Sequence, residues 1–136
     1  MDRLTKINSV IRNKSIPDFQ IYSYNPNNIL LVGSHDLCYY HELEIEFKEV
    51  WYLSLPTEFC YPTFRFVTLE ESNSIKRFVD IEAEAIIYGV EAETSSSIEP
   101  LTFYIVAETI SVRERKVYYY QRENLQANEK IADWVK

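Results

Sequence analysis

The sequence predicts an α+β domain that is mainly β. It should form an antiparallel bent sheet, a small barrel or sandwich of about seven strands, with an N-terminal and a C-terminal helix. Three observations predict it. Apolar residues recur at helical spacing near the two ends of the chain, and at period two between them. Turn-forming residues interrupt the central part at the short intervals of a meandering sheet. Aromatic residues reach 15%, with Tyr 11 and Phe 7, a bias that suits pleated, half-buried surfaces.

Leu4, Ile7, Val10 and Ile11 lie on one face of an opening helix, and Pro17 follows its expected end. Phe19, Ile21, Tyr22 and Tyr24 form a first strand, closed by the turn Asn25-Pro26-Asn27-Asn28. Residues 29–32 form a second strand, and residues 33–36 read as another turn. The clearest alternation follows. Leu43, Ile45 and Phe47 alternate with Glu42, Glu44 and Glu46, so the apolar set faces inward and the glutamates outward. The phase shifts near Lys48 and Glu49, which predicts a hairpin or a bulge there. Trp51, Leu53 and Leu55 then share a face, and Pro56 and Pro62 bracket a loop that holds Phe59 and Cys60.

Phe64 and Phe66 mark another strand, and residues 70–80 allow a short helical turn. Ile81, Ala83, Ala85 and Ile87 alternate with Glu82 and Glu84 as a half-exposed strand. After a serine-rich loop at 94–100, residues 102–112 and 116–121 suit a hairpin. The tail, residues 123–136, returns to helical spacing, with Ile131, Trp134 and Val135 on one side.

A chain of 136 residues fits one domain, 1–136, large enough to fold without a disulfide or metal. Its net charge of −7 opposes phosphate backbones and acidic membranes, so neither nucleic acid nor membrane is expected as a partner. A basic protein is the expected partner, and a homodimer through an exposed strand edge is open. No run reaches the roughly 20 apolar residues of a membrane span, and residues 1–16 lack a signal-peptide core. The expected location is therefore cytoplasmic, with Cys38 and Cys60 reduced. Two glycines cannot supply a phosphate-cradling loop, and no cofactor is expected.

Residues 35–42 concentrate the reactive side chains. His35, Cys38 and His41 are the candidate catalytic residues, beside Asp36 and Glu42. As metal ligands they fail on spacing: on a strand His35 and His41 share a face but lie roughly 20 Å apart, and Cys38 points away. Ser34-His35-Asp36 holds triad residue types, but adjacent residues cannot reach one another as a triad does. The candidate binding residues are Glu42, Glu44 and Glu46, with Tyr118, Tyr119 and Tyr120, of which at least one ring must face solvent. Both sets also suit the outer face of an ordinary sheet.

The leading functional expectation is an acidic binding module for a basic protein, of which an inhibitor or immunity-type partner of a toxic enzyme is one form. A second is a β-barrel or cone whose Leu43, Ile45, Phe47, Trp51 and Phe64 line a cavity for a small apolar ligand. A third is an enzyme using residues 35–42.

Overall fold

Helix α1 (Arg3–Lys14) forms where the 3.6-residue apolar period predicts it, in a computed structural model that describes residues 2–136. The Asp2 carboxylate caps it by accepting the Thr5 N–H at 2.8 Å. Ser15 ends it in the left-handed region (φ 53), and its N–H and that of Ile16 return to the carbonyls of Arg12 and Ile11. Leu4, Ile7, Ile11 and Ile16 are buried.

Six strands then form two three-strand meanders. The first is β1 (Asp18–Tyr24), β2 (Ile29–Ser34) and β3 (Tyr40–Ser54). The second is β4 (Glu58–Phe66), β5 (Ile86–Glu93) and β6 (Leu101–Tyr118). Helix α2 (Leu69–Lys76) lies between β4 and β5. The sheet order is β3-β2-β1-β4-β5-β6, and β3 also pairs with β6, so the six strands close into a barrel. These pairs are all antiparallel. A three-residue strand, β7 (Glu129–Ile131), adds to β6 in parallel. No helix among the described residues is long and apolar enough to cross a membrane.

The barrel interior follows from the alternation. Leu43, Ile45 and Phe47 are completely buried with Phe19, Leu31 and Ile105. Phe47 packs on Phe64 and edge-on against Tyr88. Side chains thus fill the interior where the ligand-binding reading needs a chamber. The larger clefts open on the outer surface.

Helix α1 joins this core from the side, between β4 and the far half of β6. Asn8 docks it by donating to the Phe64 carbonyl at 2.7 Å and accepting the Phe64 N–H at 2.9 Å. Arg3 donates to the Ile110 carbonyl, and Lys14 pairs with Glu114. Asn8→Ala leaves both backbone groups of Phe64 without these partners and should cost about 2 kcal/mol. Urea denaturation reads this. A variant within 0.5 kcal/mol (roughly the surface-substitution range) would show that the helix docks by apolar contact alone.

Several local expectations are corrected. Residues 123–136 form no helix: they are turns around β7, whose pairing with β6 outweighs the helical spacing. Residues 102–121 form no hairpin. No glycine or proline interrupts β6, and a register shift against His41–Leu43 absorbs the charged stretch. At the predicted phase change Glu49 stands at φ 54 while Lys48 and Val50 keep their register with β6, so there is no hairpin and the strand runs on to Ser54. A second shift between Val50 and Tyr52 parts Trp51 from Leu53 and Leu55, and Trp51 packs in a small cluster with Ile75, Ile87 and Val106. Gly33 and Ser34 belong to β2, and Phe59 and Cys60 to β4, where Pro62 sits at a register shift beside Tyr61 at φ 50. Residues 81–85 are not strand, since β5 starts at Ile86.

A second polar network pins α2. Arg65 clasps Glu71 with two nitrogens (2.8 and 2.9 Å) and reaches Glu91 at 2.7 Å. Tyr104 donates to Glu71, and Thr68 with Glu71 forms a capping box. The Arg65 guanidinium holds the Glu71 carboxyl far below the usual range. Burial, then Glu71, pushes Tyr104 up to about 12.

Candidate functional site

The sequence-predicted residues divide between two neighbourhoods. His35 lies in the 35–39 turn, not on a strand face, and Nδ1 sits 3.0 Å from a Glu42 carboxylate oxygen. That hydrogen bond raises the His35 pKa, against the opposing effect of burial. Asp36 organises the turn by accepting the Cys38 N–H, and Cys38 is exposed. Cys38 and Cys60 both line an outer cleft of about 380 Å³. Burial, then the neighbouring Asp18, raises the Cys60 pKa, the opposite of thiolate activation. Among the described residues, no group of three or more His, Cys, Asp or Glu is placed to hold a metal ion.

His41 lies elsewhere, 1% exposed beneath a shell of aromatic rings. The register shift of β6 against His41–Leu43 lies beside them, and the His41 and Glu44 side chains meet. His41 Nε2 donates to Glu44 Oε2 at 2.8 Å, and Nδ1 shares a 2.6 Å hydrogen bond with the Tyr119 hydroxyl. Arg113, across the β3–β6 ladder, donates from Nε to the other Glu44 oxygen at 2.8 Å. The outward glutamate comb is therefore broken. Glu44 is buried in an ion pair, while Glu42 and Glu46 are half-buried.

Burial alone would push the Glu44 carboxyl up, but hydrogen bonds from His41 and Arg113 outweigh it and the net shift is down. A depressed folded pKa contributes stability that is full above the unfolded value, near 4.5, and is lost as pH falls through the folded value. Glu44→Gln should cost about 2 kcal/mol at pH 7 and flatten the fall in stability below pH 4.5. Unchanged stability with an unchanged acid slope would remove the ion pair from this account.

The aromatic shell draws on both ends of the chain. Tyr22 meets His41 edge-on at 5.2 Å and stacks on Tyr119 at 6.1 Å. Trp134 packs on Tyr119 at 5.3 Å and donates to the Tyr22 hydroxyl at 2.6 Å. Helical spacing placed Trp134 on one side of a terminal helix, but it straps the tail across β1. The predicted tyrosine trio grades outward: Tyr118 is buried, Tyr119 half-buried and Tyr120 exposed. Tyr39 meets Tyr120 edge-on at 6.3 Å. Lys116 lies over the Tyr40 ring at 4.6 Å and Arg122 over Tyr118 at 4.3 Å.

Glu44, His41 and Tyr119 stand in the acid–base–hydroxyl order of a proton relay. Burial, then Tyr22 and Glu44, raises the Tyr119 pKa strongly, so this hydroxyl keeps its proton. Its oxygen is engaged with His41 and its ring is covered by Tyr22 and Trp134. No buried side-chain nitrogen or oxygen among the described residues lacks a hydrogen-bond partner. The cluster is built to hold β3, β6, β1 and the tail together. Sequence reasoning missed Arg113 and Tyr22, because nothing local marks either as a partner of His41 or Glu44. The chain matches no protein-family model, no curated protein and no solved structure.

Proposed function

We propose that the protein is a cytoplasmic binding module for a basic protein, and that the aromatic end beside β7 is its contact surface. The observation that carries this reading is the exposure of three braced rings: Tyr39 at 59%, Tyr120 at 38% and Trp134 at 57%. Each is held by a neighbouring ring, so little freedom is lost when a partner covers it.

The charge supports a basic partner. The chain carries −7, and Glu123 is exposed on the same tail, where Asp133 pairs with Lys130. Lys116 and Arg122 already lie over Tyr40 and Tyr118, and Arg122 also donates to the Tyr120 hydroxyl, so the open ring for a partner's arginine or lysine is Tyr39. An inhibitor or immunity-type role toward a basic enzyme is one form of this function.

The test is quantitative capture from the source cells with wild type and with Tyr39→Ala/Tyr120→Ala. Both side chains are exposed, so the double variant should keep its thermal midpoint. A basic protein should be enriched by wild type and lost from the variant, with affinity reduced about thirtyfold or more if these rings are hot spots. Equal capture by both would sink the assignment of this surface.

A further inference from the structure

We infer that a second docking surface, separate from the aromatic end, lies beside α2 and accepts an amphipathic helix whose apolar face is flanked by lysine or arginine. Two outer clefts, of about 550 and 220 Å³, meet at Phe66 and Ile86, which line both. Large apolar side chains stand open there: Leu69 is 78% exposed, Phe66 55% and Ile86 38%. Contiguous exposure of this kind marks interaction surfaces more often than isolated apolar residues do. Ile86 pairs with Ala107 on β6, whereas the aromatic end begins at Tyr118. That separation is about 35 Å of strand at roughly 3.3 Å per residue.

The backbone decides the form of the occupant. At Tyr88, β5 pairs with Phe66 of β4 on one side and Ile105 of β6 on the other. Past that pair little edge is left: only Ile86 and Ile87 of β5 run on beyond the end of β4, and Arg3 of α1 meets the Ile110 carbonyl where β6 runs on beyond Ala107, so a partner docks mainly through side chains. Two clefts on either side of the Phe66–Ile86 ridge suit a helix that places one apolar side chain in each.

Charge decides the flanks. Glu82 lines the larger cleft and Glu108 the smaller, and Glu70 and Glu84 are exposed next to lining residues. None of the four has an ion-pair partner among the described residues. Against them stand Lys76, the adjacent exposed Arg77, and Arg3, which already donates to the Ile110 carbonyl, so the acids outnumber the cations. A second copy of this chain would bring the same acids to a two-fold contact, setting like charges against each other. A basic, apolar helix meets both the groove and its rim.

The experiment titrates a designed helical peptide of leucine and lysine, and its counterpart with glutamate for lysine, into the isotope-labelled protein. Amide shifts are followed by NMR, and sedimentation is measured in parallel. The lysine peptide should shift amides at Leu69, Ile86 and Glu82. Its affinity should fall tenfold or more in Leu69→Ser/Ile86→Thr, whose fold the unchanged spectrum elsewhere confirms. The glutamate peptide should not bind. Equal binding of both peptides, shifts confined to the aromatic end, or no binding by the lysine peptide would overturn the proposal. So would a wild-type dimer that the double variant abolishes, since the occupant would then be a second copy.

Discussion

Phe47→Ala should lower stability by about 4 kcal/mol, within the roughly 3–5 kcal/mol seen when a buried phenylalanine is truncated to alanine. Phe47 is 0% exposed and packs on Phe64 and Tyr88, so its ring joins β3 to both β4 and β5. For a chain of this size the thermal midpoint should drop by about 12 °C. The neighbouring rings of Phe64 and Tyr88, on two strands, cannot collapse fully into the gap, so an apolar cavity should remain. The same variant bears on the ligand-barrel reading. Benzene should raise the midpoint of Phe47→Ala by entering that cavity and leave wild type unchanged. If small apolar molecules stabilised wild type as much as the variant, the barrel would hold space that its packing does not show.

The barrel wall was legible because strand parity is a local property. Leu43, Ile45 and Phe47 point inward on the evidence of their own spacing, and all three are completely buried. The same parity placed Glu42, Glu44 and Glu46 on the outer face. It could not tell what covers that face. Glu44 is buried because Arg113 lies 69 positions away and the tail returns over Tyr119. The tail shows the converse. Ile131, Trp134 and Val135 have helical spacing, but Trp134 binds Tyr22, 112 positions away, and β7 pairs with β6. Long-range contacts outweighed a local propensity worth only tenths of a kcal/mol per residue. The charged residues 113–115 stood between the two arms of the predicted hairpin, whereas the strand keeps its pairing with β3 by a register shift.

Both candidate surfaces were hidden for a related reason. The tyrosine surplus announced exposed rings but not which ones. Tyr118 is buried and Tyr39, far away in sequence, is open. Phe66 reads as strand and Leu69 precedes the polar stretch, yet each falls at an element's end, where the barrel no longer covers it.

Gly33→Ala should cost about 3 kcal/mol, the upper part of the roughly 1–3 kcal/mol range for overpacking. The reason is not backbone freedom, since no glycine in the described chain has a positive φ. It is contact. Gly33 pairs directly with Phe19 across β1 and β2, and a Cβ at Gly33 would lie 2.5 Å from Phe19 Cε2 and 2.6 Å from Cζ. The Phe19 ring cannot swing away freely, because it is 0% exposed and stacked on Phe59. It must shift into a filled core, or β1 and β2 must part. β1 also pairs with β4 and so joins the first meander to the second, and the strain reaches that seam of the barrel. The cause can be isolated. Phe19→Leu alone loses ring packing, but in the Gly33→Ala background it removes the clash, so the two substitutions should cost less together than the sum of their separate costs. A coupling of about 1 kcal/mol or more in a double-mutant cycle identifies ring contact as the source. Strict additivity would place the cost of Gly33→Ala elsewhere in β2.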